Sequence, residues 1–152
     1  MSHITVRQAV LADLDDLARL FDLYRQFQGK ASDPASARAF LHARFDQGES
    51  IAFMAIAGGD AVGFAQLYPS YSSVSLSRVF ILNDLFVLEA ARGQRVASQL
   101  LSAVESYAWS CGASRVTLNV ARTNVPAQQV YAARGWTQDD QYFMFHRFPA
   151  SE

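Results

Sequence analysis

The residues best suited to chemistry lie in one stretch, NDLFVLEAARGQRVASQLL, at positions 83–101. It begins with two polar residues, Asn83 and Asp84, inside an otherwise apolar segment. A carboxylate that faces a groove can hold an ammonium group and receive its proton, directly or through water. If Asp84 faces a groove, it is a candidate general base; if it faces the interior of the protein, it needs a buried partner. Strand alternation places Asn83 on the opposite face, where it could orient a polar ligand.

The turn RGQRVA, at positions 92–97, could hold a diphosphate. The first backbone N–H groups of a helix have no partners within the helix, and the helix dipole adds positive potential there. Gly93 gives the turn flexibility, and Arg95 contributes its amide and a positive charge. Because Arg95 falls in the first turn of the helix, we expect it to have a negative φ and little strain. The alternative interpretation is an ordinary helix start with a basic surface.

Apolar spacing predicts the elements that must position this stretch. The predicted order is a strand at 4–6, a helix between Asp13 as cap and Gly29, a helix capped by Ser32 or Asp33, a hairpin around 58–60, a very apolar strand at 79–90, a helix at 96–109, a strand at 115–120, a helix capped by Asn124 and a final strand, YFMFHRF. The very apolar strand should be buried on both faces and central in its sheet. This order indicates one mixed α/β domain over residues 1–152.

Length, composition and charge restrict the class of protein. The 152 residues suffice for one domain with a sizeable core, and a net charge of −1 argues against binding to nucleic acid or to an anionic membrane. No apolar run approaches the roughly 20 residues of a membrane-spanning helix, and the N-terminus lacks the pattern of a signal peptide. Cys111 is the single cysteine, so an internal disulfide is excluded. The histidines and Cys111 show no metal-ligand spacing, and we expect a cytoplasmic protein without a metal.

Two motifs together resemble the GNAT family of N-acetyltransferases. RGQRVA is similar to the signature Q/R-x-x-G-x-G/A at Arg92, Val96 and Ala97, with Arg95 in place of the middle glycine. The second motif is N-x-P-A-x-x-x-Y-x-x-x-G-W, represented here by Asn124, Pro126, Ala127, Tyr131, Gly135 and Trp136. The predicted order of elements is also that of the family, so the resemblance covers essentially the whole chain. It implies the GNAT fold, which has a mixed central sheet with a splayed pair of parallel strands and about four helices.

The resemblance also implies acetyl-CoA as co-substrate and assigns residues to it. In the family, the pantetheine arm lies between the two splayed strands and bonds to the backbone of the earlier one, so that the amide of Phe86 or Val87 would polarise the thioester carbonyl. The implied acetyl-CoA contacts are Leu85, Phe86, Val87, Arg92, Gly93, Gln94, Arg95, Val96, Ala97, Ser98, Asn124 and Tyr131. Tyr131 would donate a proton to the leaving thiolate, although a tyrosine there could instead pack against Trp136.

The predicted function is transfer of an acetyl group from acetyl-CoA to a primary amine in a ternary complex, with Tyr131 and Asp84 as catalytic residues. We expect a small-molecule acceptor bound by Tyr24, Asn83 and Asp84. The segment NDLFV is similar to the matching strand of polyamine and diamine acetyltransferases, which usually carries two acidic residues, and the chain also resembles histone-type members. The acceptor class is therefore not implied by the resemblance.

Several alternatives stay open from the sequence. Glu49 and His42 are more distant candidates for the general base. The acceptor could be a protein lysine or N-terminus, and the chain could be a module that binds acyl-CoA without turnover. The pocket for the acceptor should come from the first two helices with their connection, LYRQFQGKASD, and from the loop LYPSYSSVSLS. These stretches are rich in tyrosine and serine. Apolar edge strands also favour a homodimer.

Overall fold

The structure, a computed structural model, describes residues 3–151. By their internal contacts these residues form two compact units, the first ending at Asn119 and the second beginning at Val120. The first unit contains β1 (Ile4–Gln8), α1 (Leu14–Phe27), α2 (Pro34–Gln47), β2 (Ile51–Ala57), β3 (Asp60–Ser72), β4 (Ser77–Val87), α3 (Val96–Ser110) and β5 (Val116–Leu118), and the second contains α4 (Val125–Ala133). Among residues 3–151, no helix has the length and apolar character required to cross a membrane. That residues 1–152 act as one domain stays a prediction.

The first unit is organised around a five-stranded mixed sheet. The strands lie in the order β1-β2-β3-β4-β5, and the neighbours are antiparallel except for the parallel pair β4 and β5. The apolar strand β4 therefore has a strand on each side, as predicted from its composition. β5 pairs with β4 only at residues 80–82, whereas β4 continues to Val87. The parallel pair consequently separates, and the last part of β4 is left without β5 as a neighbour.

Helices cover both faces of this sheet. Phe64 of β3 contacts Phe21 and Tyr24 of α1, with ring centroids 6.1 and 5.8 Å apart. On the opposite face, Phe80 of β4 contacts Tyr107 of α3 at 5.6 Å. Ring pairs at these distances add to the stabilisation that comes from apolar burial. The site described below thus lies on a strand that is packed on both sides.

The capping signals in the sequence are realised at two helices. Asp33 caps α2 by accepting a hydrogen bond from the amide of Ser36 at 3.2 Å. Asn124 caps α4 by accepting one from the amide of Ala127 at 3.3 Å. Each of these side chains satisfies a backbone donor that the helix itself leaves free. Both helix starts are confirmed by these contacts.

Asp13 stands at the start of α1, as predicted, but its carboxylate does not cap that helix. It accepts hydrogen bonds from both terminal nitrogens of the Arg7 guanidinium, each at 2.7 Å, and one from the amide of Val10 at 2.8 Å. The hydrogen bonds from Arg7 are the largest cause that holds the pKa of Asp13 below its usual value. This bidentate ion pair ties β1 to the segment that leads into α1.

The hairpin of β3 and β4 is longer than the sequence suggests. The expected loop LYPSYSSVSLS is mostly strand, because β3 extends to Ser72 and β4 begins at Ser77. Pro69 lies within β3 opposite Phe80, beyond the last residue of β3 that pairs with β2. A proline without an N–H group is tolerated there because only one side of the strand is hydrogen-bonded.

The prediction that YFMFHRF forms a last strand is wrong. Within the described residues, no strand follows α4, and residues 142–148 have no regular secondary structure. Their aromatic side chains are exposed, for example Phe143 at 91% and Phe145 at 89%. A β-rich composition alone does not produce a strand, because the extended backbone needs a neighbouring strand for its hydrogen bonds.

Gly63 allows α3 to approach the sheet closely. A methyl group added there would lie 2.9 Å from the carbonyl oxygen of Phe86, and 3.4 Å from side-chain carbons of Val96 and Leu100. The first of these separations is shorter than any that a real Cβ tolerates. The absence of a side chain at Gly63 therefore brings the start of α3 next to the end of β4.

We expect the Gly63→Ala variant to lower the free energy of unfolding by about 2 kcal/mol, since the added carbon displaces either a backbone carbonyl or α3. Urea denaturation followed by circular dichroism measures the change. An unhindered Gly→Ala substitution in a strand would be neutral or stabilising. An unchanged or increased stability would contradict the close approach.

Candidate functional site

An extra residue interrupts the pairing of β3 and β4. Leu67 pairs with Leu82 and the next residue back, Gln66, pairs with Asp84, so that Asn83 has no partner of its own. This arrangement is a β-bulge, in which two residues of one strand oppose one residue of its neighbour. A bulge bends the strand locally and changes the direction of the side chains that follow it.

The bulge moves the later side chains of β4 to the other face of the sheet. Phe80, before the bulge, contacts Tyr107 of α3, whereas Phe86, after it, contacts Tyr24 of α1 with centroids 6.0 Å apart. In a regular strand, two residues separated by six positions would lie on one face. The extra residue shifts this alternation, and Phe86 consequently lies under α1.

Asp84 is buried on the same face as Phe86 and is held by three donors. Its side chain accepts hydrogen bonds from Gln66 Nε2 at 2.8 Å and Asn83 Nδ2 at 3.1 Å, and from the Tyr24 hydroxyl. Burial raises the pKa of Asp84 above its usual value, and the three hydrogen bonds offset part of the rise. A carboxylate of this kind is a better proton acceptor than an exposed aspartate.

Asp84 opens into a cavity of about 410 Å³ between α1, α2 and the sheet, which we call the Asp84 cavity. Its apolar wall consists of Phe21, Ala37 and Phe40, and its polar groups belong to Arg25, Ser36, Tyr68, Asn83 and Asp84. Asn83 and Asp84 therefore line one cavity. The prediction that they face opposite sides of the sheet was wrong, because it assumed regular alternation and the bulge interrupts it.

A second cavity, of about 710 Å³, adjoins the first. We call it the Arg78 cavity; it is lined by Arg44, Gly48, Glu49, Pro69, Tyr71 and Arg78, and it shares Phe40 and Tyr68 with the Asp84 cavity. Burial, followed by the charge of Asp84, raises the pKa of Tyr68 to about 12. The Tyr68 hydroxyl is thus protonated at neutral pH.

The outer edge of β4 carries backbone groups that the sheet does not use. The amide of Leu88 donates a hydrogen bond to the carbonyl oxygen of Val62 at 2.8 Å. In an antiparallel pair of strands, every second residue forms hydrogen bonds with the neighbouring strand. The register therefore directs the N–H and C=O of Phe86 toward β3, and those of Leu85 and Val87 away from it. Two amides, those of Phe86 and Val87, were predicted to donate a hydrogen bond to a carbonyl oxygen of the ligand. The amide of Val87 is free for this role, whereas that of Phe86 is not.

The side chain of Arg92 forms a hydrogen bond with one of these outward-facing backbone groups, the carbonyl of Val87. Its Nε donates to the carbonyl of Val87 at 3.1 Å, and its guanidinium lies over the ring of Phe27, 5.6 Å from the centroid. These contacts fix the path of the turn after β4. The N–H of Val87 and both backbone groups of Leu85 remain available for a ligand that runs along the strand.

The start of α3 presents free amides. Within the described residues, none of the backbone N–H groups of residues 93–98 donates a hydrogen bond to the protein. The first turn of α3 contains no acidic residue that would offset the positive end of the helix dipole. Such a helix start fits an anionic group.

Arg95 is strained, contrary to the expectation from the sequence. It immediately precedes α3 and has φ 62° and ψ 23°, in the left-handed region. A side chain in that region costs about 1–2 kcal/mol. The expectation failed because it placed Arg95 inside the first turn, where φ is negative, whereas α3 begins one residue later, at Val96. The turn thus has the backbone of a glycine at a position that an arginine occupies.

The second unit holds the remaining predicted residues. Tyr131 lies on α4, half-buried, and its ring is 6.0 Å from that of Trp136. Burial raises the pKa of Tyr131 above its usual value, so its hydroxyl carries a proton at neutral pH. Asn124 uses its side-chain oxygen to cap the same helix. Tyr131 therefore packs on Trp136, as the alternative interpretation expected, and its hydroxyl still carries a proton that it could donate.

The structure brings Tyr24, Asn83 and Asp84 together, whereas the alternative base Glu49 lines the adjoining Arg78 cavity and His42 lines neither cavity. Glu49 pairs with Arg44 at 3.1 Å, and His42 lies 3.4 Å from Asp46. In residues 3–151, no group of three or more His, Cys, Asp and Glu side chains is arranged to hold a metal ion.

The sequence placed Arg25 within a stretch expected at the acceptor pocket, LYRQFQGKASD, but did not single it out, and it gave no indication of Gln66. Arg25 directly follows Tyr24 in the sequence, and its helical position was a further signal for a place beside the pocket. Gln66 orients Asp84 across the hairpin, while its own Oε1 is buried without a hydrogen-bond partner among the described residues. A buried polar atom without a hydrogen-bond partner lowers the stability of the fold, and such atoms in native proteins often belong to functional sites.

Comparison with known proteins assigns the family. The sequence profile of the Acetyltransferase (GNAT) family matches residues 17–136. The chain belongs to this family. It is therefore an acyl-CoA-dependent N-acetyltransferase, and the five-stranded mixed sheet is the GNAT fold. The uncharacterized N-acetyltransferase YhfO of Bacillus subtilis (strain 168) is 43% identical over 136 residues, which cover 90% of this chain and 91% of the relative.

Solved structures share the GNAT fold of this chain. The crystal structure of a probable acetyltransferase has a TM-score of 0.89 and 42% identity, covering 97% of this chain and 99% of the other. An aminoglycoside N-acetyltransferase in complex with CoA has a TM-score of 0.82 and 23% identity, covering 97% and 96% of the two chains. The second similarity is one of fold.

Replacing Arg95 by glycine should stabilise this GNAT chain. We expect Arg95→Gly to raise the free energy of unfolding by about 1 kcal/mol, since relief of the left-handed strain exceeds the added entropy of the unfolded chain. Arg95→Ala is the matched control: it removes the charge, retains Cβ and should leave stability unchanged. Chemical denaturation compares the three proteins. An equal gain in both variants would assign the effect to charge instead of backbone strain.

Proposed function

We propose that this enzyme transfers the acetyl group of acetyl-CoA to a primary amine of a small molecule that binds in the Asp84 cavity. The observation that carries the proposal is the arrangement on β4. A buried carboxylate, Asp84, faces the cavity, and the next residues, Leu85 and Val87, present free backbone groups at the strand edge. A base and a donor for a carbonyl oxygen thus belong to one short segment.

The binding residues for acetyl-CoA follow from the same segment and from the turn behind it. The free amides of residues 93–98 and the positive end of α3 fit the diphosphate. The edge of β4 at Leu85 and Val87 fits the pantetheine arm, which bonds in the manner of an added strand. Acetyl-CoA supplies the activated acetyl group when bound. The CoA complex of the aminoglycoside N-acetyltransferase, which shares the fold, supports this choice of co-substrate.

The reaction assigns a role to each group. Asp84 takes a proton from the ammonium, directly or through water, and the resulting amine attacks the thioester carbon. The amide of Val87 donates to the carbonyl oxygen as it gains charge. A C–N bond forms and the C–S bond breaks, and Tyr131 gives its proton to the leaving thiolate. The nitrogen loses its second proton as the amide forms, and this proton, directly or through water, restores the phenol of Tyr131. The protonated state of Tyr131 at neutral pH supports this assignment.

The volume of the Asp84 cavity favours a small acceptor over a protein lysine or N-terminus. A volume of about 410 Å³ is in the range of small-molecule sites. A relative of the same fold is named for aminoglycosides, which are small-molecule amines. A homodimer and a cytoplasmic location stay predictions from the sequence. A module without turnover would bind acyl-CoA but would have no use for a buried carboxylate at this cavity.

The Asp84→Asn variant should lose activity by about 10²–10⁴-fold in kcat/KM, because the general base is removed. In the unchanged enzyme, kcat/KM should fall as the pH decreases through the pKa of Asp84. That pKa lies above the ordinary value of about 3.9, since burial raises it. Thiol release from acetyl-CoA, measured over a range of pH with a panel of amines, tests both points.

The matched control is Asp15→Asn, which removes an exposed carboxylate that pairs with Arg38 outside both cavities. It should retain the rate and the pH profile. If Asp84→Asn keeps more than a tenth of the activity, Asp84 is not the base. If no amine in the panel causes thiol release while acetyl-CoA binds, the proposed transfer to a small-molecule amine is contradicted.

The Tyr131→Phe variant should lower kcat by about 10²-fold and leave the affinity for acetyl-CoA within a few-fold, because the phenol acts on the leaving group. Its ring contact with Trp136 needs no hydroxyl and persists. Tyr142→Phe, at a tyrosine that is 80% exposed, is the control. Calorimetry and turnover assays measure the two effects. An equal loss of affinity and of kcat would remove the acid role.

A further inference from the structure

Charged side chains of both signs line the two cavities. In the Asp84 cavity, the charged residues are Asp84 and Arg25. Arg25 lies on α1, half-buried, one position after Tyr24, whose hydroxyl bonds to Asp84. The cavity therefore presents one negative and one positive group to the same ligand.

Arg25 has no direct ionic partner in the described part of the chain. It acts on Asp22 and Asp33 through charge at longer range. The Asp22 carboxylate is already bonded to Gln26, Ser32 and the amide of Asp33, at 3.0, 2.7 and 2.8 Å. An arginine on a cavity wall that is not in an ion pair is available for an anionic ligand group.

The adjoining Arg78 cavity increases the positive charge. It contains Arg44, Arg78 and Glu49. Glu49 is paired with Arg44, whereas Arg78 lies over the ring of Tyr71, 4.5 Å from its centroid, and forms no ion pair with the described residues. The two cavities together thus have three arginines and two carboxylates, one of which is neutralised by its neighbour.

We propose that the acceptor is a primary amine that also carries an anionic group, a carboxylate or a phosphate, with the amine at Asp84 and the anion at Arg25. This inference rests on the acetyltransferase function proposed above and specifies its substrate class. A polyamine or an aminoglycoside would instead place additional ammonium groups against Arg25, and repulsion between like charges would weaken its binding. Arg25 is then a specificity-determining residue.

The test compares straight-chain primary amines of equal length that differ only at the far end. The end groups are a carboxylate, a phosphate, a neutral amide and a second ammonium. We expect kcat/KM to be at least about tenfold higher for an anionic member than for the amide, and lowest for the diamine, since a tenfold difference corresponds to one modest charge interaction. Comparison of the carboxylate and phosphate members identifies the anion.

Three variants separate charge from structure. Arg25→Gln should remove the preference for the anionic end group, Arg25→Lys should retain part of it, and Arg25→Glu should shift the preference toward the diamine. Arg38→Gln, on the exposed side of α2 and paired with Asp15, is the matched control and should keep the preference. Thermal unfolding of each variant checks that the fold is intact.

Each outcome decides the proposal. A wild-type enzyme that acetylates the diamine or the amide as well as the anionic members overturns the inference, and the enzyme function stands. An unchanged preference in Arg25→Gln also overturns it. If no member of the series is acetylated, the function and the inference fall together. A preference for the anionic end group that disappears in Arg25→Gln and persists in Arg38→Gln supports it.

Discussion

The site depends on one irregularity in the hydrogen bonding between β3 and β4. Asn83 is an additional residue in β4, and the strand after it shows its other face to α1 and α2. The bulge therefore buries Asp84 beside Gln66 instead of under α3, and it places Phe86 against the rings of α1. The separation of β5 from β4 beyond residue 82 frees the backbone edge of the same segment. The segment from Asn83 to Val87 thus lines a cavity with its first two side chains and presents free backbone groups at its outer edge.

The environment of that stretch carries local costs in stability. Burial of the Asp84 carboxylate, the unsatisfied Oε1 of Gln66 and the left-handed backbone of Arg95 each oppose folding. The rest of the unit offsets these costs through apolar packing, such as the ring contacts of Phe64 and Phe80. Costs that gather at one place in a well-packed fold are typical of a functional site.

The sequence predicts most of the scaffold, because the scaffold follows from local signals. Asp33 and Asn124 cap their helices, and the glycine pair at 58–59 turns the hairpin. The site is less accessible to such reasoning. No residue type in the sequence predicts the bulge at Asn83, because the bulge arises from pairing between strands. It places Asn83 and Asp84 on one face of the sheet, where regular alternation had predicted two. Arg95 was misplaced by one residue, which changed its φ from the helical to the left-handed region.

Arg25 and the last predicted strand show the same limit in different ways. Arg25 is one of several polar residues in the stretch LYRQFQGKASD, and the packing of α1 over the bulged strand selects it to share a cavity with Asp84. Residues 142–148 have strong β propensity, but propensity needs a partner strand before it becomes structure. Both outcomes depend on contacts between distant parts of the sequence, which spacing within one segment does not specify.

Amide hydrogen exchange at β4, measured by NMR with and without CoA, tests the central claim most directly. In the free protein, the amide of Phe86 should be protected by its bond to β3, and those of Leu85 and Val87 should exchange faster. Addition of CoA, with binding verified by calorimetry, should protect Leu85 and Val87 and leave Phe86 unchanged. Bound CoA without added protection at these two residues would contradict the assignment of the strand edge to the co-substrate.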